Sequence, residues 1–275
     1  MSALPDRAAL AAAIAARLER ERDAAAAVFA AARPTRYVVV DDVLPPAWTA
    51  AAAAAFPAPE TLLLRSSLRE RKRVGVDLER YAPIVGDLVL AFQEPSVVAA
   101  VQAITGRAGL EADPTLYASG ISVMGRDDFL EPHLDNSHDG DQRRYRALNL
   151  LFYVAPGWQS EWGGNLELWP PDFRQPVVIP ATCNRLVIME TGPQSWHSVD
   201  CVRVDRARLC VSNYYFAPTP TGGAAYRHVT TFAGRPGTGW RRVVLGADAW
   251  LRNTAGRLFP ALVRRTRHRR AAERA

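Results

Sequence analysis

The chain has 275 residues, of which 48% are hydrophobic and 23% charged, and its formal net charge is +6. That length is enough for one substantial core, or for one core with a helical annex, and the apolar stretches are too short to predict a membrane span. Six Arg and one Glu in the last 12 residues contribute +5 of the charge. The near-neutral remainder argues against a long nucleic-acid groove and leaves only this Arg-rich tail as a possible phosphate contact.

The first segment, residues 1–33, is predicted to be helical. Leu10, Ile14 and Leu18 recur at the spacing of one helix face, which indicates an amphipathic helix. A signal peptide is not favoured, because Arg17 and other charged residues interrupt the alanine-rich run and no cleavage-type segment follows.

The next segments predict an alternation of elements up to residue 113. In chain order they are a short strand at Tyr37–Val40, an alanine-rich helix closed by Phe56-Pro57, a charged irregular stretch over 61–82, and a helix over 83–104. From residue 114, short apolar runs alternate with Pro, Gly, Asn and Asp, the pattern of an all-β sandwich or barrel. Helical periodicity returns from Trp240.

Three cysteines, Cys183, Cys201 and Cys210, are an odd number without the spacing of a metal site. They predict buried thiols in a reducing compartment. We therefore expect a cytoplasmic protein; its oligomeric state is not indicated by the sequence.

Three residues have the types and spacing of a metal site. His133 and Asp135 form a His-x-Asp step, and His197 follows 62 residues after the aspartate. In a strand, residues i and i+2 point to the same side, so the first two can bind one ion while His197 approaches from another strand. Two imidazoles and one carboxylate on one face of a metal are typical of non-haem Fe(II) oxygenases. The nearby His138 is not expected to be a ligand, because the triad is complete without it.

A candidate anion-binding cation lies 11 residues beyond His197. SVDCV and LCVSNYYF predict two strands with RVDRAR as the turn between them. Such a hairpin would place Arg208 beside His197, where its guanidinium could hold a dicarboxylate through paired hydrogen bonds. Arg206 would point the same way and is the rival. We favour Arg208 because the apolar strand begins directly after it.

The segment RALNLLFYVAPGW predicts a strand with two different faces. One face carries Ala147, Asn149, Leu151 and Tyr153, and the other carries Leu148, Leu150 and Phe152. A phenol and an amide among aliphatic residues favour the first face as a cavity wall, where Tyr153 could bond the carboxylate held by Arg208. A strand tyrosine that only packs is the alternative.

The stretch from about Tyr117 to Phe216 resembles the catalytic core of the 2-oxoglutarate- and Fe(II)-dependent dioxygenases, in particular their prolyl-hydroxylase-like branch. The matching pieces, in order, are HLDN (133–136), Arg146, YVAPGW (153–158), the GG of EWGGNLELW (161–169), NRLVIME (184–190), WHSV (196–199) and RLCVSNYYF (208–216). The chain departs from the pattern at Val123, where some prolyl hydroxylases have a pocket tyrosine.

The resemblance implies an α+β fold with a double-stranded β-helix (jelly-roll) core and helices from both ends packed on its outer sheet. We expect one folded unit with a helical support region (1–113), the catalytic core (114–218) and a helical extension (219–275). The resemblance also implies Fe(II) ligation by His133, Asp135 and His197. It implies 2-oxoglutarate binding by Arg208, with Tyr153 and Asn149 as further contacts, O2 as oxidant and ascorbate in support.

The implied activity is hydroxylation of an unactivated C–H bond in an amino-acid-type substrate, free or peptidyl and proline-like, with succinate and CO2 as co-products. A small natural product is the alternative substrate. A metal-binding cupin-like module and a zinc hydrolase are the competing functions, since His2Asp with a water is also a catalytic zinc pattern. The discriminating feature is Arg208, because a zinc hydrolase has no need for a cation placed to hold a dicarboxylate.

Overall fold

The computed structural model describes residues 4–113, 115–117 and 119–239. Its helices are α1 (Arg7–Ala31), α2 (Pro46–Ala54), α3 (Pro83–Ala91) and α4 (Pro95–Thr105). Asp6 caps α1 by accepting a 2.8 Å hydrogen bond from the Ala9 amide. Each of the other three begins at a proline, whose missing N–H costs nothing in the first turn.

The predicted amphipathic helix is confirmed as α1. Leu10, Ile14 and Leu18 are fully buried, and the helix packs against α3, α4 and the first strand. The helical stretch predicted over 83–104 forms the pair α3 and α4, because Pro95 cannot continue the first helix. No described helix could by itself cross a bilayer, although the bent pair α3 and α4 has the length and apolar composition to do so together.

Twelve strands follow the chain among these helices. They are β1 (Tyr37–Val40), β2 (Leu63–Ser66), β3 (Glu70–Gly75), β4 (Gly120–Met124), β5 (Phe129–Leu134), β6 (Tyr145–Tyr153), β7 (Leu166–Leu168), β8 (Val177–Ile179), β9 (Arg185–Glu190), β10 (His197–Val199), β11 (Arg208–Ala217) and β12 (Thr231–Phe232).

The strands form one curled antiparallel sheet in the order β1-β9-β6-β11-β4-β3-β5-β10-β7-β8, with β2 on β3 and β12 on β5. Several strands that follow one another along the chain, such as β5 and β6, β8 and β9, or β10 and β11, lie far apart in this order, as in a jelly roll. Helices α1 and α3 contact β1 and β11. The predicted α+β jelly roll with flanking N-terminal helices is confirmed; the predicted C-terminal helix from Trp240 and the Arg-rich tail lie outside the described residues.

We keep the three-region division at 113/114 and 218/219 as a proposal. Strands β1 and β3 of the first region and β12 of the third pair with strands of the second. Those ladders support the expectation of one folded unit.

Two local predictions were wrong. The stretch 61–82 contains the hairpin β2–β3, which its charges concealed; Arg71 and Arg73 on β3 reach the buried carboxylate of Asp128 at 3.1 and 3.5 Å. The predicted hairpin between the SVDCV and LCVSNYYF stretches does not form, because β10 pairs with β5 and β7 whereas β11 pairs with β4 and β6.

The connection between β10 and β11 bonds to other loops instead of to itself. Asp200 accepts hydrogen bonds from the amides of Gly164 and Asn165, and the Val202 amide donates to the Asp128 carbonyl. These bonds hold the connection between two strands that are not neighbours in the sheet.

Candidate metal centre and carboxylate pocket

The structure brings His133, Asp135 and His197 together in the interior of the jelly roll. His133 on β5 and His197 on β10 are directly paired across the ladder, and Asp135 follows the end of β5. The His133 and His197 Nε2 atoms lie 3.7 and 3.6 Å from the two carboxylate oxygens of Asp135, and the candidate ligand atoms are all within 4.8 Å of one another. Two nitrogens and one oxygen at such separations could hold one metal ion.

Backbone hydrogen bonds orient both imidazoles in the same way. Nδ1 of His133 lies 3.0 Å from the Glu131 carbonyl, and Nδ1 of His197 lies 2.9 Å from the Ser195 carbonyl. A carbonyl can only accept, so each Nδ1 carries the proton and each Nε2 keeps its lone pair for a metal.

Asp135 is held ionised by its surroundings. Asn149 Nδ2 donates to one carboxylate oxygen at 2.7 Å, and Arg146 Nη1 lies 3.3 Å from the other. Burial alone would raise the pKa of Asp135, but Arg146 and the two histidines hold that pKa well below its ordinary value. The carboxylate is therefore anionic before any metal arrives.

Burial, and then the neighbouring His197, lowers the pKa of His133 to about 3. The ring centroids of His133 and His197 are only 4.1 Å apart, so two imidazolium ions would repel each other. His133 is thus neutral at physiological pH, as a metal ligand must be.

Arg208 forms a second, cationic end of the same interior. Its side chain is buried, its Cζ lies 4.7 Å from the ring centroid of Tyr153, and Nη1 lies 3.7 Å from Met124 Sδ. The Arg208 Nε and the Tyr153 hydroxyl are both buried without a hydrogen-bond partner, and no described carboxylate lies within ion-pair distance of Arg208. A buried cation beside an unused phenol fits a carboxylate ligand. Arg206, by contrast, is exposed and lies over Trp162.

The two ends are joined by one face of β6. Asn149 and Tyr153 are four residues apart on that face, and Asn149 contacts Asp135 while Tyr153 contacts Arg208. The predicted two-faced strand is confirmed. The Asn149 amide nitrogen donates to Asp135, and its Oδ1 is buried without a hydrogen-bond partner; the predicted contact of Asn149 with the cosubstrate stays a prediction.

The Gly-Gly pair of EWGGNLELW makes room for Arg208. Gly164 has φ +72°, and a Cβ built on it would lie 2.7 Å from Arg208 Cδ. Gly163 has φ +76°, and its Cβ would lie 2.0 Å from the Cys201 carbonyl oxygen. Both positions require glycine, because the backbone is left-handed and the space is taken.

Two contributions were missed by sequence reasoning. Arg146 was noted only as a position that matches the family pattern. A register shift between β6 and β11 lies between Arg146 and Asn149, and both side chains reach Asp135. Phe232 contacts His133, and His228 contacts the Asp135 carbonyl. Both residues follow the predicted core in the chain, and no local sequence pattern predicts these contacts. His138 bonds to Ser137 instead, and Val123 is buried in the core.

These features define a jelly-roll protein with a two-histidine, one-carboxylate centre and a cationic pocket. The family model of the 2OG-Fe(II) oxygenase superfamily matches residues 119–216. A mouse protein described as prolyl 3-hydroxylase OGFOD1 is 28% identical over 124 residues, which are 43% of this chain and 22% of the relative. The chain thus matches about a fifth of that relative's length. Residues 119–216 therefore resemble the 2OG-Fe(II) oxygenase superfamily, and part of the chain is similar to a relative described as a prolyl 3-hydroxylase.

Solved structures show the same fold. A prolyl-4-hydroxylase from Pseudomonas putida aligns with a TM-score of 0.53 at 19% identity, covering 70% of this chain and 98% of that one. A prolyl 4-hydroxylase from Phytophthora capsici aligns with a TM-score of 0.51 at 18% identity, covering 79% and 67%. SnoN, a non-haem α-ketoglutarate-dependent epimerase from nogalamycin biosynthesis, aligns with a TM-score of 0.51 at 16% identity, covering 81% and 89%.

The buried neutral state of His133 predicts a pH dependence of the metal-free protein. The folded pKa of about 3 is below the ordinary value of 6.5, so the unfolded chain binds more protons between these values. Stability is therefore lost as the pH falls from 6.5 towards 3. We expect the free energy of unfolding, measured in urea, to fall more steeply in this window for the wild type than for His133→Gln. Parallel curves would contradict the assignment.

Proposed function

We propose that the chain is a 2-oxoglutarate-dependent hydroxylase in which His133, Asp135 and His197 hold Fe(II), and Arg208 and Tyr153 bind the C5 carboxylate of 2-oxoglutarate. The observation that carries the proposal is the buried Arg208 guanidinium, which has no carboxylate partner among the described residues. Isolated buried charges are unfavourable, so an anion is expected to complete this pocket.

Bound Fe(II) with O2 and 2-oxoglutarate would supply oxidative decarboxylation to succinate and CO2, together with insertion of oxygen into an unactivated C–H bond. The protein's own task is to orient the cosubstrate and the substrate and to exclude water. Asp135 gives the centre its only anionic ligand, and the Nδ1 bonds fix both histidines with Nε2 facing inward. Arg208 orients the cosubstrate from the far end of β6.

We propose an amino-acid-type substrate, free or peptidyl and proline-like. Its support is the similarity to the mouse relative described as a prolyl 3-hydroxylase, which covers part of both chains. The fold itself does not choose the substrate, since it also occurs in an epimerase of natural-product biosynthesis. A small natural product is therefore the alternative.

A cupin-like binding module or a zinc hydrolase would use the same three ligands. Neither explains why the Arg208 Nε and the Tyr153 hydroxyl are buried together without a hydrogen-bond partner. The Arg208 pocket favours the oxygenase over both.

The first prediction concerns the ligands. His133→Ala and His197→Ala should each abolish Fe(II) retention and the conversion of 2-oxoglutarate to succinate, because two remaining ligands cannot fix the ion. Iron content and succinate are measured on purified protein, with His138→Ala as the matched control. Wild-type succinate formation by either ligand variant would exclude the assigned site.

The second prediction separates Arg208 from Arg206. Arg208→Ala would leave the cosubstrate carboxylate buried without its cation, which costs about 3–5 kcal/mol, or roughly two to four decades in affinity. Arg206 is exposed, so Arg206→Ala should cost less than about 1 kcal/mol. The measurement is anaerobic titration of 2-oxoglutarate into Fe(II)-loaded protein, followed by the metal-to-ligand charge-transfer band.

Both arginine variants should bind Fe(II) normally. If 2-oxoglutarate affinity fell only in the Arg206 variant, the carboxylate-binding residue would be Arg206 and not Arg208. If the wild type showed no charge-transfer band, the cupin-like or zinc reading would stand in place of the oxygenase.

The third prediction tests the space around Arg208. Gly164→Ala should push the Arg208 side chain aside, and overpacking of this kind costs about 1–3 kcal/mol. Gly157→Ala is the control, because Gly157 has a similar φ of +63° with nothing within 4 Å of the added Cβ. In the same titration, only Gly164→Ala should weaken 2-oxoglutarate binding. Equal losses would show that backbone strain, and not the contact with Arg208, is responsible.

A further inference from the structure

The segment that follows the jelly roll returns to the metal centre. Its residues 228–235, termed here the C-terminal strap, lie outside the family-matched range. In β12, Thr231 pairs with Leu134 and Phe232 pairs with His133, and the Ala233 amide donates to the Pro132 carbonyl at 2.7 Å. The strap therefore adds a strand to the side of β5 opposite β10.

The start of the strap is fastened next to Asp135. The Ser137 amide donates to the His228 carbonyl, the His228 amide is 3.1 Å from Ser137 Oγ, and the His228 ring nitrogen Nε2 contacts the Asp135 carbonyl. The backbone that carries the aspartate is thus held from the strap side as well as by its own strand.

Phe232 lies flat against the ring of His133. Their centroids are 5.3 Å apart with an interplanar angle of 19°, and Phe232 is buried. On another side the same imidazole meets His197 at 4.1 Å. An imidazole between two rings has little freedom to rotate about its χ2 angle, so its Nε2 direction is fixed before a metal binds.

Arg235 ties the two histidine-bearing strands together. Its amide donates to Glu131, two residues before His133, and its Nη2 donates to the carbonyl of Val199, two residues after His197, at 2.9 Å. Its Nη1 also pairs with the buried carboxylate of Glu167 on β7. The register between β5 and β10 shifts at this point, between His197 and Val199, so the guanidinium spans an irregular part of the ladder.

We propose that Phe232 and Arg235 are positioning residues that pre-set the geometry of the metal-binding histidines from outside the jelly-roll core. The inference rests on the proposed function. Partners that orient metal ligands contribute to affinity without touching the ion, and losing one costs on the order of 10–100-fold.

Co(II) binding tests this without turnover. Phe232→Ala and Arg235→Ala should each raise the Co(II) dissociation constant about 10–100-fold and change the d–d absorption bands, which report coordination geometry. Phe232→Tyr, which keeps the ring, should restore both, whereas Phe232→Leu, which keeps bulk without a flat face, should not. The exposed Arg227 gives the control Arg227→Ala. Thermal melting of each metal-free variant separates a lost site from a lost fold.

If the Phe232 and Arg235 variants had wild-type Co(II) affinity and spectra, this inference would be overturned while the proposed function would stand. Weakened binding in Arg227→Ala to the same extent would also overturn it, since the effect would then not be specific to the contacts. If the wild type bound no Co(II), the ligand assignment itself would fail. If Phe232→Ala does not fold, the comparison of Phe232→Leu with Phe232→Tyr decides.

Discussion

An ionised carboxylate that is largely withdrawn from water inside an apolar jelly roll is the constraint on which the centre depends. Asp135 is costly to bury as an anion, and the surrounding strands offset that cost with Arg146 and the amide of Asn149. Arg146 in turn lies over the ring of Tyr214 at 4.1 Å. The residues that keep the carboxylate charged also fix its direction, so the anionic ligand is in place before a metal adds its own charge.

Arg208, at the other end of the same face of β6, has the reverse charge imbalance. Arg208 is a buried cation whose hydrogen-bonding capacity is not used up by the described residues, beside a phenol in the same condition. One end of this face of β6 lies at the three candidate metal ligands, and the other end lies at the Arg208 cation. The distance along β6 from Asn149 to Tyr153 sets the separation of the two groups. A ligand with a metal-chelating head and a distant carboxylate matches both ends, which is why the 2-oxoglutarate assignment is more specific than the His-x-Asp pattern alone.

Parts of the chain outside the family-matched segment contribute strands to the same sheet. Strand β3 of the hairpin β2–β3 lies between β4 and β5, and β12 pairs with the same edge of β5 as β3, opposite β10. Both additions pair with β5, the strand that carries His133.

The sequence alone determined those features that depend on strand geometry: the shared side of His133 and Asp135, and the cavity face of β6, follow from a period of two residues. The sequence also favoured Arg208 over Arg206, because the apolar strand begins directly after Arg208. That choice assumed a hairpin that does not form. Only the tertiary structure showed that β10 and β11 pair with different strands, that the charged stretch 61–82 contains a hairpin whose Arg71 and Arg73 contact Asp128, and that Phe232 reaches His133. These contacts join residues far apart in the chain, and no local periodicity encodes which distant strand or loop will satisfy a buried group.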